Sequence, residues 1–244
     1  MRVAFLTDVH ANLPALEAVL AHARAAGADE VWNGGDMVGY GPQPEACVQR
    51  LREVAALSIA GNYDQRVLLV PVRREKWRQT KHPLKLLAFL YAWENLSPSN
   101  RDWLAGLPDR ARREVAGLTA QVHHASQVSD REHLNAGTPP ARWRELAALA
   151  DADIVLSGHT HLPMQHREGR TLFVNPGAVG RPEGGDPRAG YAIVDFTPVG
   201  CDVTLHRVPY DTEATAVAVR AHGLPEAFAQ MFLRGVTLGD VLAP

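Results

Sequence analysis

The chain predicts a mixed α/β protein, with parallel strands early and antiparallel strands late. Three observations carry this expectation. Strand-then-helix units repeat over the first 64 residues, which implies parallel strands with crossover helices. From residue 112 onward, short apolar runs are separated by Gly- and Pro-containing turns, as in hairpins. Hydrophobic residues make up 46% of the 244 positions, enough for one sizeable core.

The elements follow in order. VAFL is a short buried strand. Asn12 and Pro14 signal a helix start. Leu13, Leu16, Val19 and Leu20 recur at helical spacing, and Gly27 ends the run. EVWNGGD (30–36) is a second strand running into glycines, MVGYGPQP (37–44) a loop, 45–57 a helix and LSIAGNYD (57–64) a third strand. Residues 66–107 read as mainly helical, broken at Pro83, Pro98 and Pro108. Within them RREKWRQTKHPLK (73–85) is strongly basic, which reads first as a solvated helix face. VAGLTAQVHHAS is a strand, 141–150 a short helix and DIVLSGHTH (153–161) another strand. MQHREGRTLFVNPG (164–177) reads as a hairpin turning near Glu168 and Gly169, and 189–208 as two more antiparallel strands. The tail, 211–244, reads as helical and packed outside. The expectation is one domain over 1–244, with a helical insertion at about 66–110 and that tail.

Composition narrows the function classes. The formal net charge is −2, so nothing global points to nucleic acid or an anionic membrane. Cys47 and Cys201 form no motif and read as reduced thiols of a cytoplasmic protein. The opening apolar run is too short for a signal-peptide core. No stretch approaches the ~18 consecutive apolar residues of a membrane span. Oligomeric state leaves no mark in the sequence.

Polar clusters stand where the apolar runs end: Asp8-Val9-His10, Gly35-Asp36, Gly61-Asn62-Tyr63-Asp64, His123-His124 and Gly158-His159-Thr160-His161. In open α/β sheets the loops at the carboxyl ends of strands form the ligand crevice. Imidazole with carboxylate suits Mn, Fe, Co, Ni or Zn better than Ca. There are too many donors for one ion, and Asp36, in a glycine-flanked turn, is placed to bridge two. Paired metals ~3.5–4 Å apart clamp a phosphate and turn a bridging water into a hydroxide nucleophile near neutral pH. Each cluster alone has a duller explanation. D-x-H can cap a helix, GNYD can be an ordinary turn, and the histidines of GHTH can lie on the surface. The order and completeness of all five favour the metal site.

The series D-x-H, GD, GN-x-D, H, GH-x-H resembles the calcineurin-like metallophosphoesterases. Within them it is similar to the small bacterial phosphodiesterases and the proteins labelled diadenosine-tetraphosphatase-related. DVHANLPALEAVL, GDMVGYGPQPEACV, GHTHLP and LFVNPGAVGRP extend the likeness over most of the chain. The resemblance implies a four-layer αββα sandwich of two mixed sheets, with two divalent transition metals at the sheet ends. Mn leads, with Fe, Ni, Co or Zn as alternatives. By position, Asp8, His10 and His161 would hold the first metal and Asp36 would bridge. Asn62, His159 and His124 would hold the second. His124 is chosen over His123 because HASQ (124–127) matches the family's pattern, which leaves His123 a neighbour near substrate.

Tyr63 departs from that pattern, since many relatives carry histidine there as the acid for the leaving group. Tyrosine titrates near ~10 and is a weak acid at neutral pH. Either it positions phosphate through its hydroxyl, which suits diesters or anhydrides better than alkyl monoesters, or another group protonates the leaving oxygen. Asp64 would orient a ligand such as His10 or cap the turn. Asn62, Tyr63, Arg181 and Tyr40 are candidate substrate contacts, Tyr40 by stacking. Arg181 sits in NPGAVGRP beside Asn175, which reads first as a turn residue. The expected activity is hydrolysis of a phosphate ester, with nucleotides among the candidate substrates. The competing readings are a regulatory metal- and nucleotide-binding protein with little turnover, and a protein scaffold.

Overall fold

The computed structural model describes residues 1–243. In chain order the first elements are β1 (Arg2–Leu6), α1 (Leu13–Ala25), β2 (Glu30–Asn33), α2 (Pro44–Val54) and β3 (Ala55–Ser58). Four helices follow: α3 (Asn62–Leu68), α4 (Val70–Thr80), α5 (Pro83–Glu94) and α6 (Pro98–Ala105). Next come β4 (Arg110–Val115), β5 (Leu118–His123), α7 (Pro140–Ala150), β6 (Ile154–Leu156), β7 (Pro163–Glu168) and β8 (Thr171–Pro176). The chain closes with β9 (Ala189–Thr197), β10 (Gly200–Val208), α8 (Thr212–Ala221), α9 (Glu226–Arg234) and α10 (Leu238–Leu242).

The strands form two five-stranded sheets, ordered β10-β9-β1-β2-β3 and β4-β5-β6-β8-β7. In the first, β1, β2 and β3 are parallel and β9 runs antiparallel to β1. In the second, β5, β6 and β8 are parallel and the edge strands β4 and β7 are antiparallel. Parallel strands therefore also occur late in the chain, where hairpins alone were expected. The cause is α7, whose 11 residues carry the chain from β5 back to pair β6 parallel.

Period-2 alternation decides what each face buries. On β1, Val3 and Phe5 point between the sheets, against Val122, Ile154 and Val174 of the second sheet. Ala4 and Leu6 point the other way, toward Leu16, Val19 and Leu20 of α1 and Val48 and Leu51 of α2. Trp143, Leu146 and Ala150 of α7 cover Val155 and Phe173 on the far side of the second sheet. The order is helices, sheet, sheet, helix: the expected αββα sandwich. The basic α4 is largely exposed, and Arg78 pairs with Glu75 at 2.8 Å. The tail is less peripheral than expected, since Phe228 and Phe232 of α9 pack around Tyr40. Among the described residues no helix is long and apolar enough to cross a membrane, and Cys47 and Cys201 are both free.

Three element boundaries differ from the sequence reading, and each difference shapes the site. The third strand stops at Ser58, and Asn62 opens α3, so GNYD is a helix start rather than a strand end. The Asp64 carboxylate accepts from the N–H of Gly61, three residues back, and turns the chain into the helix. The run VAGLTAQVHHAS holds a hairpin turn instead of one strand: Ala116 and Gly117 both take positive φ, at 52° and 83°, as a two-residue turn matched to strand twist requires. Strand β6 ends at Leu156, leaving GHTH in a loop.

Phe5 is fully buried between the sheets. Phe5→Ala should lower the unfolding free energy by about 3–5 kcal/mol in a urea titration. A loss below about 1 kcal/mol would contradict this packing.

Candidate active site

The site lies where β1, β2, β5 and β6 end and the chain turns away. The turns are tight enough to force non-glycine residues into the left-handed region: Asp8 (φ 57°), His10 (46°), Asp36 (54°), His159 (69°) and His161 (60°). Each such residue costs about 1–3 kcal/mol and persists only where its surroundings over-determine it. Gly61 and Gly158 let the turns close on one another. A Cβ at Gly61 would collide with the backbone N and carboxylate of Asp36, and one at Gly158 with Thr7 and the Asp8 carboxylate.

Asp64 knits two of these turns together. Its Oδ2 accepts from the N–H of Asp36 (2.8 Å) and Gly61 (2.9 Å), and its Oδ1 from Met37 (2.9 Å) and Val38 (3.3 Å). Burial and the Asp36 charge push it up to about 7. All four partners are donors, so the ionised carboxylate fits them and a protonated one would lose an acceptor. It thus holds the backbone that carries Asp36. It does not orient His10 as expected, because His10 Nδ1 instead donates to the carbonyl of Val38 at 3.2 Å.

The cluster repeats one pattern. In Asp8, Asp36, His10, His124 and His161 one polar atom is tied to the protein and the other is turned inward, whereas His159 Nε2 is buried without a partner. Asp8 Oδ2 accepts from the His159 N–H (3.0 Å) and Thr7 Oγ1 (3.1 Å), while Oδ1 is buried with no donor. Asp36 Oδ1 accepts from the Tyr63 N–H at 2.6 Å, while Oδ2 faces His10 Nε2 (3.8 Å) and His124 Nε2 (3.4 Å). His10, His124 and His161 direct Nδ1 at the carbonyls of Val38, Gly34 and Arg181 (3.2, 3.0 and 2.7 Å). Their Nε2 atoms point inward, and those of His10 and His161 are 3.2 Å apart. Asn62 Oδ1 lies 2.9 Å from His124 Nε2 and 3.1 Å from His159 Nδ1.

The buried carboxylates and imidazoles shift one another's proton affinities. Burial opposes charge on His124, yet the Asp36 carboxylate keeps it protonated up to about 10. Burial and Arg181 oppose charge on His161, while Asp8 and Glu183 raise it. Burial pushes His10 well down and His159 down to about 4. Burial works against the Asp8 carboxylate too, but His161 and its neighbours bring it down to about 2.

This donor set fits divalent cations. Asp8, His10 and His161 form one group whose donor atoms lie within 4.8 Å of one another, and Asp8, Asp36 and His124 form another. Asn62 joins the second through His124, and His159 reaches it through Asn62. Nitrogen and carboxylate oxygen with Nδ1 fixed by a carbonyl is the arrangement that metal-ligating histidines adopt.

A family model for the calcineurin-like phosphoesterase superfamily domain matches residues 1–198. The chain belongs to the calcineurin-like phosphoesterase superfamily. It is 31% identical to a structurally characterised metallophosphoesterase from Sphaerobacter thermophilus, with a TM-score of 0.79 over 97% of this chain and 99% of that one. It is 27% identical to phosphodiesterase YfcE of Escherichia coli K12, over 80% of this chain and 88% of that protein. An uncharacterized protein of Methanocaldococcus jannaschii is also 27% identical, over 96% of this chain and 98% of that one.

The structure brings together Asp8, His10, Asp36, Asn62, His124, His159 and His161. His124 rather than His123 faces the cluster: the His123 ring turns away, with Nε2 2.9 Å from Gln121 Oε1. Tyr40 departs from its expected stacking role. It is 1% exposed, with its ring edge-on to Phe228, so it presents no free face to a base. Tyr63 donates its hydroxyl to Tyr40 at 3.0 Å, and burial raises its phenol well above the usual range. Arg181 lies over the Tyr40 ring and pairs with Glu183 at 2.8 Å, leaving its Nε buried without a partner. Asn175 holds the turn, donating to Gly158 O (2.6 Å) and accepting from Gly177 N–H (2.9 Å). Sequence reasoning missed Glu183, two residues beyond Arg181. It also missed His133, whose ring centre lies 4.8 Å from that of His159. The segment around His133 has no periodicity that would have marked it.

Two outcomes are expected. Asp64→Asn puts an amide NH2 among N–H donors. It should cost about 1–3 kcal/mol of stability in a urea titration and about 10–100-fold in manganese affinity; an unchanged affinity would contradict the bracing role. Manganese binding to metal-free protein at pH 7 should release at least about one proton, because His124 is protonated below about 10. Calorimetry in buffers of differing ionisation enthalpy reads this number, and zero would contradict a protonated His124.

Proposed function

We propose that this chain is a metal-dependent phosphodiesterase with a dinuclear centre. The observation that carries the reading is the inward set of donor atoms, Oδ1 of Asp8, Oδ2 of Asp36 and Nε2 of His10, His124 and His161. Asp8, His10 and His161 would hold one ion and Asn62, His124 and His159 the other. Asp36 Oδ2, between His10 and His124, would bridge. Manganese is the first choice, since the mixed nitrogen and oxygen donors suit several borderline ions. When bound, the ions would supply positive charge for the phosphoryl oxygens and make a water more acidic near neutral pH.

The residues of the chain do the rest. The carbonyls of Val38, Gly34 and Arg181 hold the Nδ1–H of His10, His124 and His161, which turns their Nε2 atoms toward an ion. Asp64 fixes the turn that carries Asp36. Arg181, buried with one unpartnered N–H, would supply positive charge near a phosphoryl oxygen. Tyr63 is a poor acid, since its proton is committed to Tyr40 and burial holds it there. The leaving oxygen therefore departs with little help from this phenol, which favours diesters with good leaving groups over alkyl monoesters.

The test is turnover of bis(p-nitrophenyl) phosphate and p-nitrophenyl phosphate by chelator-stripped protein given Mn, Fe, Co, Ni or Zn singly. Metal-restored hydrolysis should be faster on the diester. Asp36→Asn and His161→Ala should each lose at least about 10³-fold in kcat while remaining folded. Tyr63→Phe should stay within about tenfold of the parent, because a general acid is worth about 10²–10⁴-fold and this phenol is not one. Near-parental turnover in Asp36→Asn or His161→Ala would refute the ligand roles. A loss beyond about 10²-fold in Tyr63→Phe would restore it as the acid.

A further inference from the structure

Arg181 and Glu183 flank Pro182 in the loop between β8 and β9. Proline fixes its own φ and disfavours helical backbone in the residue before it. On extended backbone, side chains two residues apart share a side. Here Arg181 Nη2 and Glu183 Oε1 meet at 2.8 Å, with the two side chains 11% and 20% exposed. The guanidinium lies 4.7 Å over the Tyr40 ring. That ring stands edge-on to the His10 ring, with 6.1 Å between centres. Glu183 Oε1 is also 3.3 Å from His161 Nδ1, which donates to the Arg181 carbonyl at 2.7 Å. One carboxylate thus touches both the arginine side chain and a candidate metal ligand.

Both groups are felt in the donor cluster. Burial opposes charge on His10 and His161, and Arg181 adds to that at both, whereas the Glu183 carboxylate favours a proton on His161. Beside the cluster, arginine and glutamate therefore act in opposite senses. Tyr63, on the same wall, brings no charge, because burial holds its proton well above the usual range. An arginine near phosphate ordinarily adds positive charge; this one is already matched by an anion. A phosphodiester is a monoanion, whereas a phosphomonoester is mostly a dianion near neutral pH. An unmatched guanidinium in a partly buried place favours the dianion, and a matched one gives it no such advantage.

We infer that Glu183 is a specificity-determining residue: by cancelling the charge of Arg181 beside the donor cluster, it withholds the positive charge that a phosphomonoester dianion needs and so selects phosphodiester monoanions. This rests on the phosphodiesterase reading. It gives that site a source of diester preference separate from the weak acidity of Tyr63. Glu183 acts through Arg181, so the sign of the pair's net charge, and not the presence of either side chain alone, sets the preference.

The test is the monoester-to-diester ratio of kcat/KM on the two p-nitrophenyl esters, in manganese-loaded parent and variants. Both esters expel the same leaving group, so their ratio reads charge and not acid catalysis. Glu183→Gln leaves the pair with a net positive charge and should raise the ratio at least about tenfold. Arg181→Met leaves a net negative charge and should lower it. Glu183→Asp, and the double variant Arg181→Met with Glu183→Gln, keep the pair neutral and should hold the ratio within about threefold of the parent, even where both rates fall. Calorimetry gives a second readout that needs no turnover: Glu183→Gln should tighten methyl phosphate, a dianion, at least about fivefold more than dimethyl phosphate, a monoanion. Equal losses on both esters in Glu183→Gln and Glu183→Asp would make Glu183 a structural brace and overturn the inference. So would a double variant whose ratio follows Arg181→Met instead of the parent. If Glu183→Gln does not fold, the double variant against Arg181→Met reads the same unit of charge. A parent that binds manganese yet hydrolyses neither ester overturns the phosphodiesterase reading, while the two binding constants still judge the charge pair.

Discussion

A buried carboxylate, Asp64, holds the centre of this molecule together. Its two oxygens gather N–H groups from the turn after β2 and from the start of α3. Asp64 lies 26 to 28 residues beyond the turn it holds, and this carboxylate fixes how the two segments meet. Backbone N–H groups taken from water need acceptors, and one carboxylate serves four of them. Once the turn is held, the Tyr63 N–H reaches Asp36 Oδ1. That contact leaves Asp36 Oδ2 to face the histidines. A residue outside the cluster thus decides which lone pairs inside it are free.

The same logic runs through the other members. A carbonyl opposite Nδ1 sets the tautomer of each histidine, and an N–H or hydroxyl on one oxygen of Asp8 sets which oxygen remains. Backbone strain at Asp8, His10, Asp36, His159 and His161 is the cost of aiming five side chains at one volume. The two packed sheets supply the rigidity that bears it, since cores as dense as crystals do not yield gradually. Preorganisation of this kind means that little must move when phosphate arrives.

Much of this was legible in the sequence because the signals were local. D-x-H, GD and GH-x-H follow apolar runs directly, so their positions at sheet ends could be read from patterning. The αββα layering came from resemblance, and alternation along β1 accounts for it physically. Less legible was anything set by contacts distant in sequence. That Tyr40 would be enclosed depends on Phe228, nearly two hundred residues away, closing over its ring. The role of Asp64 depends on the turn at 36–38, and GNYD looked like a strand end because IAG continues an apolar run. The parallel pairing of β5 with β6 was hidden because a three-residue strand such as IVL carries no directional signal. His133 lies in an irregular segment that no periodicity describes.

The substitution of a phenol in GNYD makes sense in this setting. Tyr63 joins Tyr40, Phe89 and Phe228 in an aromatic wall beside His10, and its hydroxyl serves that wall. In the proposed reaction the chemistry would then rest on bound ions rather than on a side-chain acid. The most direct test is electron paramagnetic resonance of the manganese-loaded protein, with metal content measured on the same sample. Two ions per chain with the signal of an exchange-coupled pair is the result this account predicts. One ion per chain, or two with the spectrum of isolated manganese, would contradict a carboxylate-bridged centre built on Asp36.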